Sequence, residues 1–305
     1  MVTTFSATVK NELCRISRPF NKNSISLLYG LLLFSRNFKS SEISFYTENK
    51  NIRELISDLI LQNFGCILDV IFSKTATNKK NITLKIPFEQ DRKKILYEFG
   101  HLSDEINSKI NTKLLETSDN IRLFLRGAFL ACGTISSPEH GYHLEFSVPY
   151  MNLSKSLISL LATLKEVNFK AKSTTRKGNF IVYIKDSSDI TDFLTYIGAS
   201  ASAMDLIQVK MLKEVRNYVN RTTNFETANI NKIATAAAVQ IEAIKKIKKR
   251  GKFNCLDESL KELADLRVKN PEMSLRELGQ NLSTPLTRSG VNHKMKKILS
   301  IGENI

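Results

Sequence analysis

The side chains best suited to recognise a ligand lie on the last predicted helix of the chain. Together they offer guanidinium, hydroxyl, amide, imidazole and ammonium groups, and they are Arg288, Ser289, Asn292, His293, Lys294, Lys296 and Lys297. Arginine pairs well with guanine and asparagine with adenine in the major groove, whereas lysine mainly holds phosphates. We therefore predict that the first four face the bases of double-stranded DNA and that the three lysines contact its backbone.

Two short helices and a turn must position these side chains. Ser274 and Glu277 form a capping-box pattern that starts the first helix, Pro285 ends it, and Thr287 is a candidate N-cap for the second helix. Helical spacing places two sets of apolar residues inward, namely Leu275, Leu278 and Leu282, then Val291, Met295, Ile298 and Leu299. The span from Ser274 to Leu299 is thus typical of a DNA-reading helix-turn-helix. The alternative is an ordinary amphipathic helix with a solvated lysine-rich face.

Three further helices are predicted, over residues 205–218, 226–249 and 256–269, and the last of them would support this motif. The second of them ends in a cationic run, at Lys245, Lys246, Lys248, Lys249 and Arg250, followed by Gly251. Cations and a following glycine are both typical of a helix C-terminus. These five side chains are either candidate phosphate contacts or simply a solvated helix end.

Composition favours a polyanionic partner. The 305 residues carry a formal net charge of +15, and 42% of them are hydrophobic, which is enough for two or three domains with cores. From Asp205 onward there are 19 Lys and Arg against 11 Asp and Glu, so the excess is denser towards the C-terminus. No apolar run reaches the roughly 18 residues that span a bilayer, and we expect a cytoplasmic, nucleoid-associated protein without a membrane partner.

The cysteines and histidines do not have the spacing of a metal site. The four cysteines lie far apart, at Cys14, Cys66, Cys132 and Cys255. His140 and His143 are three residues apart, but His140 falls in a predicted turn. We predict no metal and no cofactor.

An internal repeat of about 97 residues organises the first two thirds of the chain. Residues 28–34 match 125–131, residues 82–86 match 180–184, and Asp91 matches Asp189. In the second copy we predict helices at 120–132, 153–167 and 188–196. Strands are predicted at 133–136, 142–148, 170–175 and 180–185, the last two paired as a hairpin, which gives the order αββαββα. Gly30 and Gly127 would let the first helices of the two copies pack closely, so that the sheets form a saddle.

Five segments resemble the WhiA family of bacterial regulators. They are residues 5–13, 126–136, 142–146, 220–229 and 289–293, and the similarity extends over nearly the whole chain. The resemblance implies an α+β fold of two αββαββα LAGLIDADG-like repeats in one saddle-shaped domain, followed by an all-α helix-turn-helix domain. It further implies a non-enzymatic transcription factor with roles in sporulation or in cell division and chromosome segregation.

The expected domain organisation follows from the repeats and the resemblance. It is an N-terminal helix at 1–20, repeats at 21–115 and 116–200, a linker helix at 201–225 and the helix-turn-helix domain at 226–305. A polar group at the expected hinge, formed by Asn220, Arg221, Asn224, Glu226 and Asn229, suggests a capping and docking network or contact with the DNA backbone.

The residues at the repeat interface argue against nuclease activity. A homing endonuclease needs an acidic metal ligand at the end of each pairing helix, but those positions hold Ser35 and Cys132. Asp91 and Asp189 are expected to be N-caps. An RNA-binding regulator and an active metal-dependent endonuclease remain as alternatives. The LAGLIDADG-like domain could bind DNA, a ligand, or proteins of transcription or division.

Overall fold

The computed structural model describes residues 3–18, 21, 23–74, 80–101, 109–164 and 169–304. The chain divides into two compact units, Met1–Leu212 and Lys213–Ile305. None of the helices in the described residues is long and apolar enough to cross a membrane. The five-part domain division predicted from the sequence stays a prediction.

The first unit contains two copies of the same αββαββα arrangement, as predicted. After helix α1 (Phe5–Ile16), the first copy comprises α2 (Ser24–Leu33), β1 (Asn37–Phe38), β2 (Ile43–Thr47), α3 (Lys50–Phe64), β3 (Asp69–Lys74), β4 (Lys80–Lys85) and α4 (Glu89–Glu98). The second comprises α5 (Ser118–Cys132), β5 (Gly133–Ile135), β6 (Leu144–Val148), α6 (Met151–Thr163), β7 (Lys172–Arg176), β8 (Asn179–Ile184) and α7 (Ser187–Ile197). Residues 165–168, where α6 was expected to continue, lie outside the described residues.

Each copy folds around an antiparallel four-stranded sheet. The strand orders are equivalent, β1-β2-β4-β3 and β5-β6-β8-β7. The β7–β8 hairpin closes with Arg176 opposite Asn179, and its two turn residues, Lys177 and Gly178, have φ angles of 50° and 81°. Positive φ at both central positions gives a hairpin turn that matches strand twist, so the predicted hairpin is confirmed.

Helices α2 and α5 form the centre of the first unit, and two glycines allow their close contact. A Cβ atom added to Gly30 would lie 2.1 Å from the Phe124 carbonyl oxygen, and one added to Gly127 would lie 2.2 Å from the Leu27 carbonyl oxygen. Because both obstacles are backbone atoms, no side chain could move aside to make room. The prediction that these glycines permit a tight helix crossing is confirmed.

The predicted N-capping roles of Asp91 and Asp189 are wrong. Helix α7 is capped three residues earlier by Asp186, whose Oδ1 accepts hydrogen bonds from the amides of Ser188 and Asp189. These bonds lower the pKa of Asp186. The Asp189 side chain instead accepts a hydrogen bond from the Lys170 amide at 3.0 Å. Helix α4 has Phe88 at its N-cap, and Asp91 lies inside the first turn, where a carboxylate suits the helix dipole.

Helix α8 runs without interruption from Ser200 to Lys249. The predicted break between residues 218 and 226 is therefore wrong, because that segment contains neither glycine nor proline and nothing forces its backbone hydrogen bonds apart. The helix begins against a carboxylate from α1. Glu12 accepts hydrogen bonds from the amides of Ala201 and Ser202 at 2.8 and 3.0 Å.

The second unit adds three shorter helices to the end of α8, namely α9 (Glu258–Lys269), α10 (Leu275–Gln280) and α11 (Arg288–Glu303). All four helices contribute to one core, with Ile244 and Ile247 from α8, Leu260 and Leu263 from α9, Leu278 from α10, and Val291, Met295 and Ile298 from α11. Burial of these side chains supplies the hydrophobic free energy that holds the small unit together. The predicted inward faces are confirmed, although Leu275 and Leu299 are only partly buried.

Candidate DNA-binding site

Helix α10 starts with the capping box predicted from the sequence. The Ser274 hydroxyl accepts a hydrogen bond from the Glu277 amide at 3.3 Å, and the Glu277 carboxylate accepts one from the Ser274 amide at 2.7 Å. The bond from the Ser274 amide to the carboxylate favours its ionised form and, with a smaller contribution from the Ser274 hydroxyl, lowers the pKa of Glu277. The first helix of the motif therefore has a fixed starting point.

The turn between α10 and α11 depends on Gly279, for which no role was predicted. A Cβ atom at this position would lie 2.3 Å from the Leu286 carbonyl oxygen and 2.9 Å from a Val291 methyl carbon. The Leu286 amide also donates a hydrogen bond to the Gly279 carbonyl at 2.9 Å. Glycine thus lets the chain leaving the turn pass directly against α10.

Helix α11 is capped by Thr287, as predicted. The Thr287 hydroxyl accepts a hydrogen bond from the Gly290 amide at 3.3 Å. The helix continues to Glu303, one turn beyond the expected end at Leu299. Gly302 permits this extension because its α-carbon packs against α8, where an added Cβ would lie 2.9 Å from the Ala243 methyl group.

The outer face of α11 carries the predicted DNA contacts. Arg288, Ser289, Asn292, His293, Lys296 and Lys297 are exposed, and Lys294 is half-buried. In the described part of the chain, no side-chain hydrogen bond or ion pair engages any of these seven. Their donors and acceptors are consequently available to a partner, and their assignment to bases or phosphates stays a prediction.

A carboxylate on α9 holds the turn of the motif, and this contact was not predicted. Glu262 accepts hydrogen bonds from the amide and the hydroxyl of Ser283, at 2.6 and 2.5 Å. These bonds, with a smaller contribution from the positive charge of Lys294, lower the pKa of Glu262. Because Ser283 lies 21 residues away in sequence, no local pattern could have revealed the pair.

A second support comes from Arg267 on α9, whose side chain is 1% exposed. Its Nη1 donates hydrogen bonds to the carbonyl oxygens of Met273 and Pro271, at 2.6 and 3.3 Å. Burial lowers the pKa of Arg267, because a charged guanidinium is less well solvated inside the protein than in water. The segment that leads into α10 is therefore anchored to α9 through its backbone.

The cationic end of α8 is partly engaged within the protein. Lys248 pairs with Asp265 at 2.7 Å and lies over the Phe253 ring at 4.5 Å from its centroid. Lys246 lies 3.8 Å from Glu242 on the same helix. Both pairs are exposed, and the other predicted cations, Lys245, Lys249 and Arg250, also reach solvent. Gly251 ends the helix with a φ of 71°, as expected for a C′ glycine.

The polar residues at 220–229 lie in the middle of α8 and are exposed. No helix end occurs there, so the predicted capping role is wrong. Arg221 donates a weak hydrogen bond to the Asn217 carbonyl at 3.3 Å. Docking or DNA contact by this segment stays a prediction.

The ends of the pairing helices lack the acidic side chains of a nuclease centre. The Ser35 hydroxyl donates to the Leu32 carbonyl at 2.6 Å, and burial raises the pKa of the Cys132 thiol to about 12. Among the described residues, no three histidine, cysteine or acidic side chains form a cluster that could hold a metal. A cavity of about 450 Å³ remains there, lined in part by Ser35, Arg36 and Cys132.

These features define a protein with a LAGLIDADG-like α+β domain and a C-terminal helix-turn-helix domain. Models of the WhiA LAGLIDADG-like domain and of the WhiA C-terminal HTH domain match residues 121–216 and 219–302. The chain belongs to the WhiA family.

Relatives along the whole chain support this assignment. A probable cell division protein WhiA from Clostridium botulinum strain Hall is 36% identical over 314 residues, covering 99% of this chain and 98% of that protein. One from Thermoanaerobacter sp. strain X514 is 37% identical over 317 residues, with the same coverage. The crystal structure of full-length DUF199/WhiA from Thermotoga maritima superposes with a TM-score of 0.61 at 26% identity, covering 99% of both chains.

Proposed function

We propose that the protein is a sequence-specific DNA-binding transcriptional regulator that reads duplex DNA through helix α11. The observation that carries this proposal is the outer face of α11, on which seven polar or basic side chains make no side-chain hydrogen bond or ion pair in the described structure. A helix-turn-helix places its second helix in the major groove, with the residues of its first turns nearest the bases. In this geometry Arg288, Ser289, Asn292 and His293 read bases, while Lys294, Lys296 and Lys297 hold phosphates.

The supports of α11 favour specific reading over loose electrostatic attachment. Hydrogen bonds to bases require a helix that is held in a fixed position, because a direct contact fails when donor and acceptor are misplaced. Gly279 sets the spacing of the two helices, and the Glu262–Ser283 contact fixes the turn to α9. A general polyanion-binding protein would need only the charge.

The LAGLIDADG-like domain acts in this proposal as a non-cleaving scaffold. Neither Ser35 nor Cys132 supplies the hard anionic oxygen that magnesium prefers. Since the relatives are described as probable cell division proteins, we place the regulated genes in cell division and chromosome segregation. The protein would then act at the chromosome in the cytoplasm.

Binding of the full-length protein to labelled duplex DNA, measured by fluorescence anisotropy over a salt series, tests the proposal. If about six phosphates are neutralised, the log-log slope should be near −5, from about −0.9 per phosphate. Lys297→Ala should reduce the slope by about one for every sequence, whereas Lys93→Ala, which removes an exposed lysine of the first unit, should leave it unchanged. A salt-independent affinity would contradict the proposal.

A cleavage assay and a competition assay test the two alternatives. Incubation of the protein and duplex DNA with magnesium or manganese should leave the DNA intact; metal-dependent cleavage would identify a nuclease. Unlabelled duplex DNA should displace the probe at lower concentration than RNA of the same sequence. The reverse order would identify an RNA-binding regulator.

A further inference from the structure

A buried arginine of the first unit has no counterion in the described structure. Arg126, on α5, is 6% exposed. Its Nε donates to the Ile197 carbonyl at 2.7 Å and its Nη1 to the Ser17 hydroxyl at 3.2 Å. Both acceptors are neutral, and among the described residues no carboxylate pairs with this guanidinium. The Ile197 carbonyl ends helix α7, so the helix dipole offsets part of the charge, but it supplies no full negative charge. A buried charge is costly unless it is paired as well as hydrogen-bonded.

A second guanidinium increases the local positive charge. Arg122 lies one helical turn before Arg126 and is paired with Asp119 at 2.8 Å. Burial, and to a lesser extent the neighbouring charge of Arg122, lower the pKa of Arg126 to about 10. The three charged side chains therefore leave one positive charge in excess, and it lies on the most buried of them.

Both arginines line a small polar cavity. Its volume is about 180 Å³, and it is formed by the end of α1, the start of α2 and the first half of α5. Ser17, Asn21, Asn23 and Ser24 add hydroxyl and amide groups to its wall, and Asp119, the partner of Arg122, adds one carboxylate. This volume is below the roughly 300 to 1,000 Å³ of pockets that hold drug-sized ligands. A small hydrophilic ligand fits its size and its chemistry.

We infer that this cavity binds a small tetrahedral oxyanion between Arg122 and Arg126, either free phosphate or the terminal phosphoryl group of a small metabolite. Because Nε and Nη1 of Arg126 already donate to the protein, the anion would be held by the remaining N–H groups of Arg126 and by those of Arg122. Such charge-assisted hydrogen bonds are among the strong ones in proteins. The bound anion would neutralise the buried charge. It would also tie α1, α2 and α5 together, and through the Arg126–Ile197 contact it would stabilise the end of α7.

The simpler explanation is that Arg126 only holds the Ile197 carbonyl and the Ser17 hydroxyl. Replacing Arg126 would disturb the fold under either explanation, so it cannot distinguish them. Arg122 can, because its side chain is 45% exposed and its partner lies three residues away on the same helix. Lys93→Gln is the matched control, since Lys93 forms a similar exposed pair with Glu89 in the same unit.

The test is a titration of the full-length protein with sodium phosphate, at an ionic strength held constant with sodium chloride. Binding is measured by isothermal titration calorimetry and by the shift of the thermal unfolding midpoint. The wild-type protein should show saturable binding and a phosphate-dependent rise in Tm. Arg122→Gln should weaken binding at least about tenfold, as expected for loss of one charge-assisted hydrogen bond. Lys93→Gln should bind as the wild type does.

Unsaturable binding, or equal affinities in the wild type and Arg122→Gln, would overturn the inference, because the phosphate would then occupy other basic surfaces. A parallel titration with glycerol phosphate separates the two sources of the anion. Equal affinity for both probes identifies free phosphate as sufficient. Tighter binding of the monoester identifies a phosphorylated metabolite.

Discussion

Substitution of Gly279 by alanine tests the packing of the helix-turn-helix and leaves the proposed DNA-contacting side chains unchanged. Inside a helix, alanine is ordinarily favoured over glycine by about 1 kcal/mol. Here the added methyl group would lie 2.3 Å from the Leu286 carbonyl oxygen. That oxygen belongs to the backbone of the turn, and the amide of the same residue, Leu286, donates a hydrogen bond to the Gly279 carbonyl. The contact therefore cannot relax by rotation of a side chain.

We expect the clash to exceed the gain in helix propensity. Overpacking of a core costs about 1 to 3 kcal/mol, and a backbone obstacle places Gly279→Ala at the upper end of that range. Subtracting about 1 kcal/mol of propensity leaves a net loss of about 2 kcal/mol. That loss corresponds to roughly a 30-fold rise in the population of the open state.

Amide hydrogen exchange of α11, followed by mass spectrometry, measures this change locally. Exchange in Gly279→Ala should be about 30-fold faster than in the wild type. Gly290→Ala is the matched control, because its added Cβ meets no atom closer than 3.6 Å. It should leave α11 exchange unchanged or slow it by up to about fivefold. If both variants slow the exchange, the close approach at Gly279 is not a constraint and the reasoning fails.

Further predictions concern titration and thiol reactivity. Glu262 and Glu277 both have lowered pKa values in the folded chain, so their stabilisation is complete above the unfolded carboxyl pKa and is lost as the pH falls through the folded values. The urea midpoint of the second unit should thus fall on acidification, and less steeply in Glu262→Gln; identical pH profiles would contradict the contact with Ser283. Burial raises the pKa of Cys14 and Cys132 to about 12, whereas Cys255 is exposed. Iodoacetamide at pH 8 should label Cys255 before the other two, as measured by mass spectrometry. Labelling of Cys132 before Cys255 would show that the end of helix α5 is accessible to solvent and would contradict this prediction.

Local signals predicted much of the architecture. The Ser274 capping box, the Thr287 cap and Gly251 at the end of α8 each depend on hydrogen bonds within a few residues. A short stretch of sequence therefore contains all the residues that form these helix ends. The repeat could also be predicted, because the two copies have glycines, Gly30 and Gly127, at equivalent positions of their pairing helices.

Other features depend on causes that a local pattern does not contain. The sequence predicts Asp189 as the cap of α7, whereas the structure has Asp186 there. Either aspartate suits a helix start, and only the backbone geometry decides between them. The polar segment at 220–229 suggests a hinge, but α8 continues through it, because polar side chains do not interrupt helical hydrogen bonds. The Glu262–Ser283 contact joins separate helices, so it required the three-dimensional arrangement.

The central claim is that α11 reads bases, and selection of bound sequences from a random duplex library tests it most directly. The wild-type protein should enrich one defined motif. Asn292→Ala should keep affinity for DNA but lose preference at one position, with a discrimination loss of about 1 to 3 kcal/mol if the amide pairs with a base. An unchanged motif in this variant and in Arg288→Ala, or no enrichment by the wild type, would contradict the account.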